Sequence, residues 1–288
     1  MEYLIHIAIL VCIYGMLGLS LNLIVGEMGL LSVTQAAFYG IGAYATALLL
    51  VNTEIGFFLA AVLGILMAGV VALGIGVILS RFSGDFYALG TFGFNVIVWS
   101  VFLNWQSLTQ GPLGIPGIPR PILLGFQFSE NIYFLVLVLL TLALVYGICV
   151  FITRSSFGRV LHAIREDEQA ISVFGYSTTY YKLVTLVISA MLAALAGSLF
   201  ASYITFIDPS SFSLSESIFI LAIVILGGLS SSRGAMLGAL FLVVLPEILR
   251  FAGFPSDVAA QMRQVIYGLI LILLMMYRPR GFLGEYRM

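Results

Sequence analysis

The sequence predicts an all-α, polytopic integral membrane protein with about nine transmembrane helices, and three observations lead to that prediction. Apolar residues make up 61% of the 288 residues, whereas 12 basic and 13 acidic side chains carry charge. A soluble domain has about a quarter charged residues, so a charged fraction of 9% cannot cover a water-exposed surface. The mean hydropathy of +1.15 and the long apolar runs without period-two alternation indicate helices in lipid rather than barrel strands.

Nine apolar runs, bounded by charged residues, proline or polar clusters, predict the individual spans. The runs cover residues 4–25, 30–51, 55–80, 86–105, 131–153, 183–207, 215–232, 233–252 and 264–277. The first run lacks a preceding basic stretch and continues to Val25, which predicts a span rather than a cleavable signal. Because a span needs about 20 residues, about eight to ten spans fit the chain, and we expect residues 1–288 to form a single transmembrane domain.

The distribution of lysine and arginine predicts an external N-terminus and a cytoplasmic C-terminus. With nine spans, the cytoplasmic side holds Arg81, Arg154, Arg159, Arg165, Lys182, Arg233, Arg278, Arg280 and Arg287, and the external side holds Arg120, Arg250 and Arg263. Short cytoplasmic loops carry the excess of basic residues, so the opposite orientation would invert the rule. The Gly- and Pro-rich residues 106–130 then form an external loop, and residues 154–182 form the main charged cytoplasmic segment.

The cytoplasmic segment 154–182 contains the pattern of a short helix. We expect residues 163–171 to be helical, and Gly175 is placed to follow the helix end in the left-handed conformation. One side carries the apolar residues Val160, Leu161, Ile164 and Ile171, and the other positions carry Arg159, Arg165, Glu166 and Glu168. The apolar ridge is expected to fill a groove in a docked protein; an ordinary solvated loop of mixed charge is the alternative.

Two Gly-rich breaks interrupt the apolar runs, one in each half of the chain. Gly29-Leu30-Leu31-Ser32 and Gly228-Leu229-Ser230-Ser231 align at a constant offset of 199 residues, a weak internal similarity. Broken helices expose backbone N–H groups that favour a carboxylate. We therefore consider six residues candidates for a substrate pathway: Gly29, Ser32, Gln35, Gly227, Gly228 and Ser230. Close packing of helices through small residues is the alternative explanation.

Several classes of function are excluded by what the sequence lacks. No G-x-x-x-x-G-K-[ST] run is present, so ATP hydrolysis would need another chain. The two histidines, His6 and His162, lie far apart, and Cys12 and Cys149 sit in apolar runs, which predicts neither a metal site nor a disulfide framework. A net charge of −1 leaves no basic surface for nucleic acid, and no span holds the buried acid pair of a proton-coupled carrier.

A series of short motifs, spread in order along nearly the whole chain, resembles the motifs of a known family. They include Gly29-Leu30-Leu31-Ser32, Gln35-Ala36-Ala37-Phe38-Tyr39-Gly40, Gln110-Gly111-Pro112-Leu113-Gly114, Phe157-Gly158-Arg159, Ala163-Ile164-Arg165-Glu166-Asp167-Glu168, Leu226-Gly227-Gly228-Leu229 and Arg278-Pro279-Arg280-Gly281. The sequence resembles the membrane permease subunits of bacterial ABC importers for branched-chain amino acids, and the second of that family's two paired permeases is the closer match.

The resemblance implies a multi-pass subunit of the bacterial cytoplasmic (inner) membrane that forms the translocation pathway with a second, homologous permease. Two cytoplasmic ATPases and an external solute-binding protein would complete the importer. The chain itself would bind no cofactor, because ATP and magnesium belong to the ATPases. A urea or short-amide importer, and a stand-alone secondary carrier, are the alternatives.

The family's coupling helix, which fits a groove in the ATPase, corresponds to residues 157–175. The resemblance therefore implies an ATPase-coupling role for Arg159, Arg165, Glu166, Asp167, Glu168 and Gly175. Two departures from the family pattern are visible. Glu168-Gln169-Ala170 stands where related permeases have Glu-Ala-Ala, and Gln35 replaces the histidine that often follows the first break.

Overall fold

The computed structural model describes residues 2–53, 55–123, 126–128, 130–251, 268–269 and 281–283, and its regular structure is almost entirely helical. Five described helices are long and apolar enough to cross a membrane: Glu2–Glu27, Phe57–Leu79, Asp85–Asn104, Asn131–Arg154 and Thr178–Ile204. The predicted all-α class with several membrane spans is thereby confirmed. All but two residues of the predicted run 264–277 lie outside the described residues.

Four helices make up the first third of the chain: α1 (Glu2–Asn22), α2 (Gln35–Asn52), α3 (Phe57–Leu79) and α4 (Asp85–Asn104). A π-helical turn, Leu23–Glu27, extends α1. The second half of α1 and most of α2 are buried, whereas α3 exposes a broad apolar face with Leu66, Met67 and Val70. Because apolar side chains need no cover in lipid, this exposure is expected of a helix at the rim of a membrane protein.

A stretch of short elements, corresponding to residues 106–130, separates the two groups of long helices. It contains α5 (Gln106–Thr109), a 3₁₀ turn (Gly111–Leu113) and the two-residue strands β1 (Ile115–Pro116), β2 (Ile122–Leu123) and β3 (Phe126–Gln127). Strand β1 pairs antiparallel with β4 (Phe206–Ile207), with Ile115 opposite Ile207. Four prolines limit the helical content of this stretch, as the sequence predicts.

Six further helices follow: α6 (Asn131–Arg154), α7 (Ser156–Glu166), α8 (Glu168–Val173), α9 (Thr178–Ile204), α10 (Leu214–Gly227) and α11 (Ser232–Phe251). Helix α1 packs against α6, α9, α10 and α11, while α9 also packs along α2 and α3. The buried core thus lies around α1, α2 and α9, and the two short helices α7 and α8 lie at one end of it.

Small residues allow α2 and α9 to approach closely. Gly42 faces the backbone of Ala194, and Gly197 faces the backbone carbonyl of Tyr39, so a methyl group at either glycine would collide with main-chain atoms. Close approach of small residues is the usual way in which helices associate in lipid, where no hydrophobic force drives them together. Packing between α2 and α9 therefore fixes the position of the chain that leads into α2.

Candidate functional site

The first predicted break is present between α1 and α2. After the π-helical turn the backbone has no helical structure from Met28 to Thr34, and α2 begins at Gln35. Gly29 adopts a φ of +74°, which side chains with a Cβ atom rarely adopt. A methyl group there would also lie 2.6 Å from Cγ of Arg165, so the break needs glycine at this position.

The second predicted break is present between α10 and α11. Helix α10 ends at Gly227, and Gly228 and Ser230 have φ values of +109° and +63°. The tail of the chain contacts this break, because the amides of Phe282 and Leu283 each donate to a carbonyl of α10, at Leu226 and Gly227, over 3.0 Å. Two of the C-terminal carbonyls of α10 are therefore partnered by the tail.

The two breaks lie against each other in space. The amide of Ser230 donates to Oδ1 of Asn22 over 3.2 Å, and its hydroxyl donates to Oε2 of Glu27 over 3.3 Å. A methyl group at Gly26 would lie 2.6 Å from the nitrogen of Ser230. Residues that the sequence separates by about 200 positions thus form one site at one end of the helical core.

Helix α7 packs onto that site with its apolar side inward. Ser155 caps the helix by accepting a hydrogen bond from the amide of Gly158 over 3.3 Å. Leu161 and Ile164 are 0% and 4% exposed and belong to the core of this chain. The expectation that this apolar ridge fills a groove in a docked protein is therefore wrong for these two residues.

The expected helix 163–171 is interrupted at Asp167, which has extended backbone angles of φ −157° and ψ +101°. Its carboxylate accepts hydrogen bonds from the amides of Gln169 and Ala170 at 2.9 and 3.0 Å, so it caps α8. The prediction of one continuous helix here is wrong, because capping by aspartate starts a second helix. Gly175 follows the end of α8 with a φ of +89°, as its predicted position after the helix end requires.

Two polar side chains of α7 reach the first break. His162 places Nε2 at 2.8 Å from Oε2 of Glu27, a carboxylate that is only 2% exposed. Arg165, one turn further along the same face, donates from Nη1 to the carbonyl oxygen of Gly26. We call this group of contacting residues the Glu27 cluster; it consists of Gly26, Glu27, His162, Arg165 and Ser230. It joins α7 to both helix breaks.

Sequence reasoning missed three members of this cluster, Gly26, Glu27 and His162. It considered His162 only as a metal ligand and did not single out Gly26 or Glu27. A weak signal was available, because His162 and Arg165 are three positions apart and therefore share one side of a helix.

The other residues of the predicted coupling set have different surroundings. Glu168 pairs with Nζ of Lys182 at 2.5 Å, and the same nitrogen donates to the carbonyl of Phe82 over 3.0 Å, so α8 is attached to α9. Arg159 and Glu166 are exposed. Beyond them, Val173 and Phe174 at the end of α8 are 85% and 78% exposed. The largest exposed apolar side chains of this segment thus lie outside the ridge that the sequence predicts.

The predicted pathway residues after the first break belong to a buried polar network. Gln35 donates from Nε2 to the hydroxyls of Ser20 and Ser189, the latter over 3.2 Å, and Ser32 hydrogen-bonds Thr34 over 3.0 Å. Ser217 of α10 accepts from the amide of Ala36 over 2.9 Å, in the first turn of α2. We expected the backbone N–H groups after the break to be available to a ligand, but the one at Ala36 therefore has a partner within the protein. In the part of the chain that the structure describes, no three potential metal ligands come together.

The geometry thus consists of a short surface helix bound to two broken membrane helices. Sequence similarity to known proteins covers the same part of the chain. A family described as "Branched-chain amino acid transport system / permease component" matches residues 3–275. The Escherichia coli high-affinity branched-chain amino acid transport system permease protein LivM is 37% identical, over 97% of this chain and 69% of LivM. The E. coli permease LivH is 28% identical over 94% of this chain and 91% of its own length. The Pseudomonas aeruginosa permease BraD is 26% identical over 94% and 92%.

No solved structure matches the chain significantly. The family match covers nearly all of the sequence, and the matched residues include α7 and both helix breaks. The chain belongs to the family of branched-chain amino acid transport system permease components.

Proposed function

We propose that this chain is one of two paired permease subunits of an ABC importer and forms the translocation pathway for branched-chain or other hydrophobic amino acids. The observation that carries the proposal is the Glu27 cluster, in which His162 and Arg165 of α7 bind the first helix break. The relatives named for branched-chain amino acid transport favour this substrate class over urea or short amides. The importer would lie in the bacterial cytoplasmic membrane.

The subunit is proposed to act without an ATPase site of its own. It would pair with a homologous permease, as LivH and LivM are both permeases of branched-chain transport. Two cytoplasmic ATPases, which bind ATP and magnesium, and an external solute-binding protein would supply the remaining parts. This chain would bind no cofactor.

Residues 1–288 are proposed to form a single transmembrane domain of nine spans, with the N-terminus outside and the C-terminus inside. The orientation is supported by the excess of basic residues at 154–182 and in the 80–84 loop. In this arrangement residues 106–130 form the external loop that faces the binding protein. Residues 154–182 form the coupling segment.

Coupling would run from the ATPases through α7 to the two breaks. Movement of α7 changes the position of Arg165 and His162, and both side chains hold the turn that contains Gly26 and Glu27. Contacts of charged groups are strong where water is excluded, and Glu27 is almost fully buried. Because Ser230 also binds Glu27, the second break would move with the first.

The surface that faces the ATPase would be built from the exposed residues of the segment. Arg159 and Glu166 provide charges that fix register, and Val173 and Phe174 provide apolar area for a pocket in the partner. Asp167 and Glu168 are proposed to support this surface from within the chain, because they cap α8 and attach it to Lys182. Gly175 would end α8 and leave Phe174 at its tip.

Transport by the complete importer in proteoliposomes tests the proposal. Labelled leucine should accumulate only when ATP is hydrolysed, and an excess of unlabelled valine or isoleucine should suppress its uptake. An excess of urea should leave the uptake unchanged. Leucine uptake that continues with a non-hydrolysable ATP analogue would indicate a secondary carrier, and urea uptake without leucine uptake would assign the chain to the other substrate class.

A further inference from the structure

A polar cavity of about 420 Å³ lies beside the Glu27 cluster. It is bounded by the end of α6, by His162 of α7 and by the residues that lead into α11, Ser230 to Arg233. Its volume falls within the range of about 300–1,000 Å³ that is usual for small-ligand sites. The volume is therefore sufficient for a group of headgroup size.

Two arginines from different helices line this cavity. Arg154 lies in the last turn of α6, and Arg233 lies in the first turn of α11. Among the described residues, neither guanidinium has an acidic partner, because the two ion pairs found there are His162–Glu27 and Lys182–Glu168. The one carboxylate in the lining, Glu27, is already bound by His162 and Ser230. The lining therefore holds two arginines against one carboxylate, which leaves it with a net positive charge.

The remaining lining residues provide groups suited to a phosphate oxygen. The hydroxyls of Ser231 and Ser232 can donate to such an oxygen, whereas the hydroxyl of Thr153 already donates to the carbonyl of Val150 over 3.1 Å. An arginine fork binds phosphate through two parallel N–H bonds. Tyr146 and Val150, on α6, form a wall that lies further into the membrane-spanning part of that helix. A ligand with a phosphate at the helix end and apolar chains along α6 would satisfy both parts of the lining.

We propose that this cavity binds the phosphate group of an anionic phospholipid. Arg154 ends a helix that is long and apolar enough to span a membrane, so the cavity lies at the depth of the headgroups. Basic pockets between membrane helices on the cytoplasmic side are suited to anionic headgroups. A bound phosphate would hold the end of α6 to the start of α11 and thereby stabilise the second helix break. Free inorganic phosphate has the same chemistry and is separated from lipid by the test.

Binding to the purified full-length chain in detergent tests the proposal, and native mass spectrometry counts the bound lipids. Dioleoyl phosphatidylglycerol should bind more tightly than the zwitterionic dioleoyl phosphatidylcholine. Arg154→Gln and Arg233→Gln should each weaken the binding of phosphatidylglycerol about fivefold, and the double variant about thirtyfold. The double variant Arg154→Lys/Arg233→Lys should bind more tightly than Arg154→Gln/Arg233→Gln, because the charge remains. It should bind less tightly than the unaltered chain, because lysine cannot form the two parallel N–H bonds. Arg81→Gln, which removes an exposed cation from the same end but outside the cavity, should bind as the unaltered chain does.

Three results would overturn the proposal. If Arg81→Gln weakens binding as much as Arg154→Gln does, the lipid binds to the overall charge and not to this cavity. If millimolar inorganic phosphate displaces phosphatidylglycerol, the site takes free phosphate and the lipid source is wrong. If Arg154→Gln/Arg233→Gln binds lipid normally but no longer copurifies with the ATPases, the arginines contact a protein. Neither lipid measurement depends on transport, so failure here leaves the proposed function untouched.

Discussion

Lys182 is a buried cation whose contacts hold residues 154–182 in place. It is 2% exposed, and its Nζ binds both Glu168 on α8 and the carbonyl of Phe82 in the loop before α4. Hydrogen bonds that involve a charged group contribute about 1.5–3 kcal/mol. Replacing this lysine therefore detaches α8 from α9 and also removes the donor to the carbonyl of Phe82.

Lys182→Met, which keeps the apolar stem, should lower the free energy of unfolding by about 2 kcal/mol and reduce the melting temperature of the purified chain. Glu168→Gln should cost less, because the glutamine oxygen still accepts a hydrogen bond and Glu168 is partly solvated. Arg159→Gln removes an exposed cation from α7 and serves as the control. Thermal unfolding in detergent measures all three; equal melting temperatures for Lys182→Met and the control would mean that the pair adds no stability.

At the scale of elements, the sequence predicts which sides of α7 are apolar but not what they contact. Leu161 and Ile164 fall on one side at helical spacing, and that side is indeed buried. Periodicity reports only that an apolar side needs cover, which the chain's own helices provide as well as a partner does. The interruption at Asp167 was missed because capping depends on the backbone angles of the next residues, and aspartate also occurs on helix surfaces.

The tip of α8 is the element that should contact the ATPase. Phe174→Ser should lower the affinity for the ATPases about thirtyfold and so reduce their copurification with the chain. The reason is that truncating an anchoring aromatic side chain at an interface costs about 2 kcal/mol. Leucine-stimulated ATP hydrolysis should fall with it. Leu113→Ser removes a comparably exposed apolar side chain, 81% against 78%, from residues 106–130 and should leave copurification unchanged. Normal copurification by Phe174→Ser would mean that the ATPase binds a different part of the segment.

At the scale of the whole molecule, composition and run length predict the helical membrane class, and the Gly-rich runs predict both helix breaks. Contacts between residues that are distant in the sequence could not be predicted, because Asn22 and Glu27 meet Ser230 only once α1, α10 and α11 have packed together. The hydrogen-bond partners of Gln35 could not be predicted for the same reason. Its partners, Ser20 and Ser189, come from two other helices, and each is an ordinary small residue in its own run.

The orientation of the whole molecule can be tested at two exposed positions on either side of α4. Ser83 lies in the loop before α4, beside a shallow pocket that Glu168, Gln169 and Ser172 of α8 also line. Leu113 lies in the stretch that follows α4. If Asp85–Asn104 crosses the membrane once, these positions must lie on opposite sides, and the excess of basic residues predicts that Ser83 lies inside. The native Cys12 and Cys149 are buried, so they should add little background labelling.

A membrane-impermeant maleimide applied to the external face should therefore label Leu113→Cys and not Ser83→Cys. Both should be labelled after the membrane is dissolved in detergent, which controls for reactivity. The reverse pattern would invert the proposed topology and place α7 and α8 outside, where no ATPase could reach them. Labelling of both positions from outside would mean that Asp85–Asn104 does not cross the membrane, and the proposed count of nine spans would then be wrong.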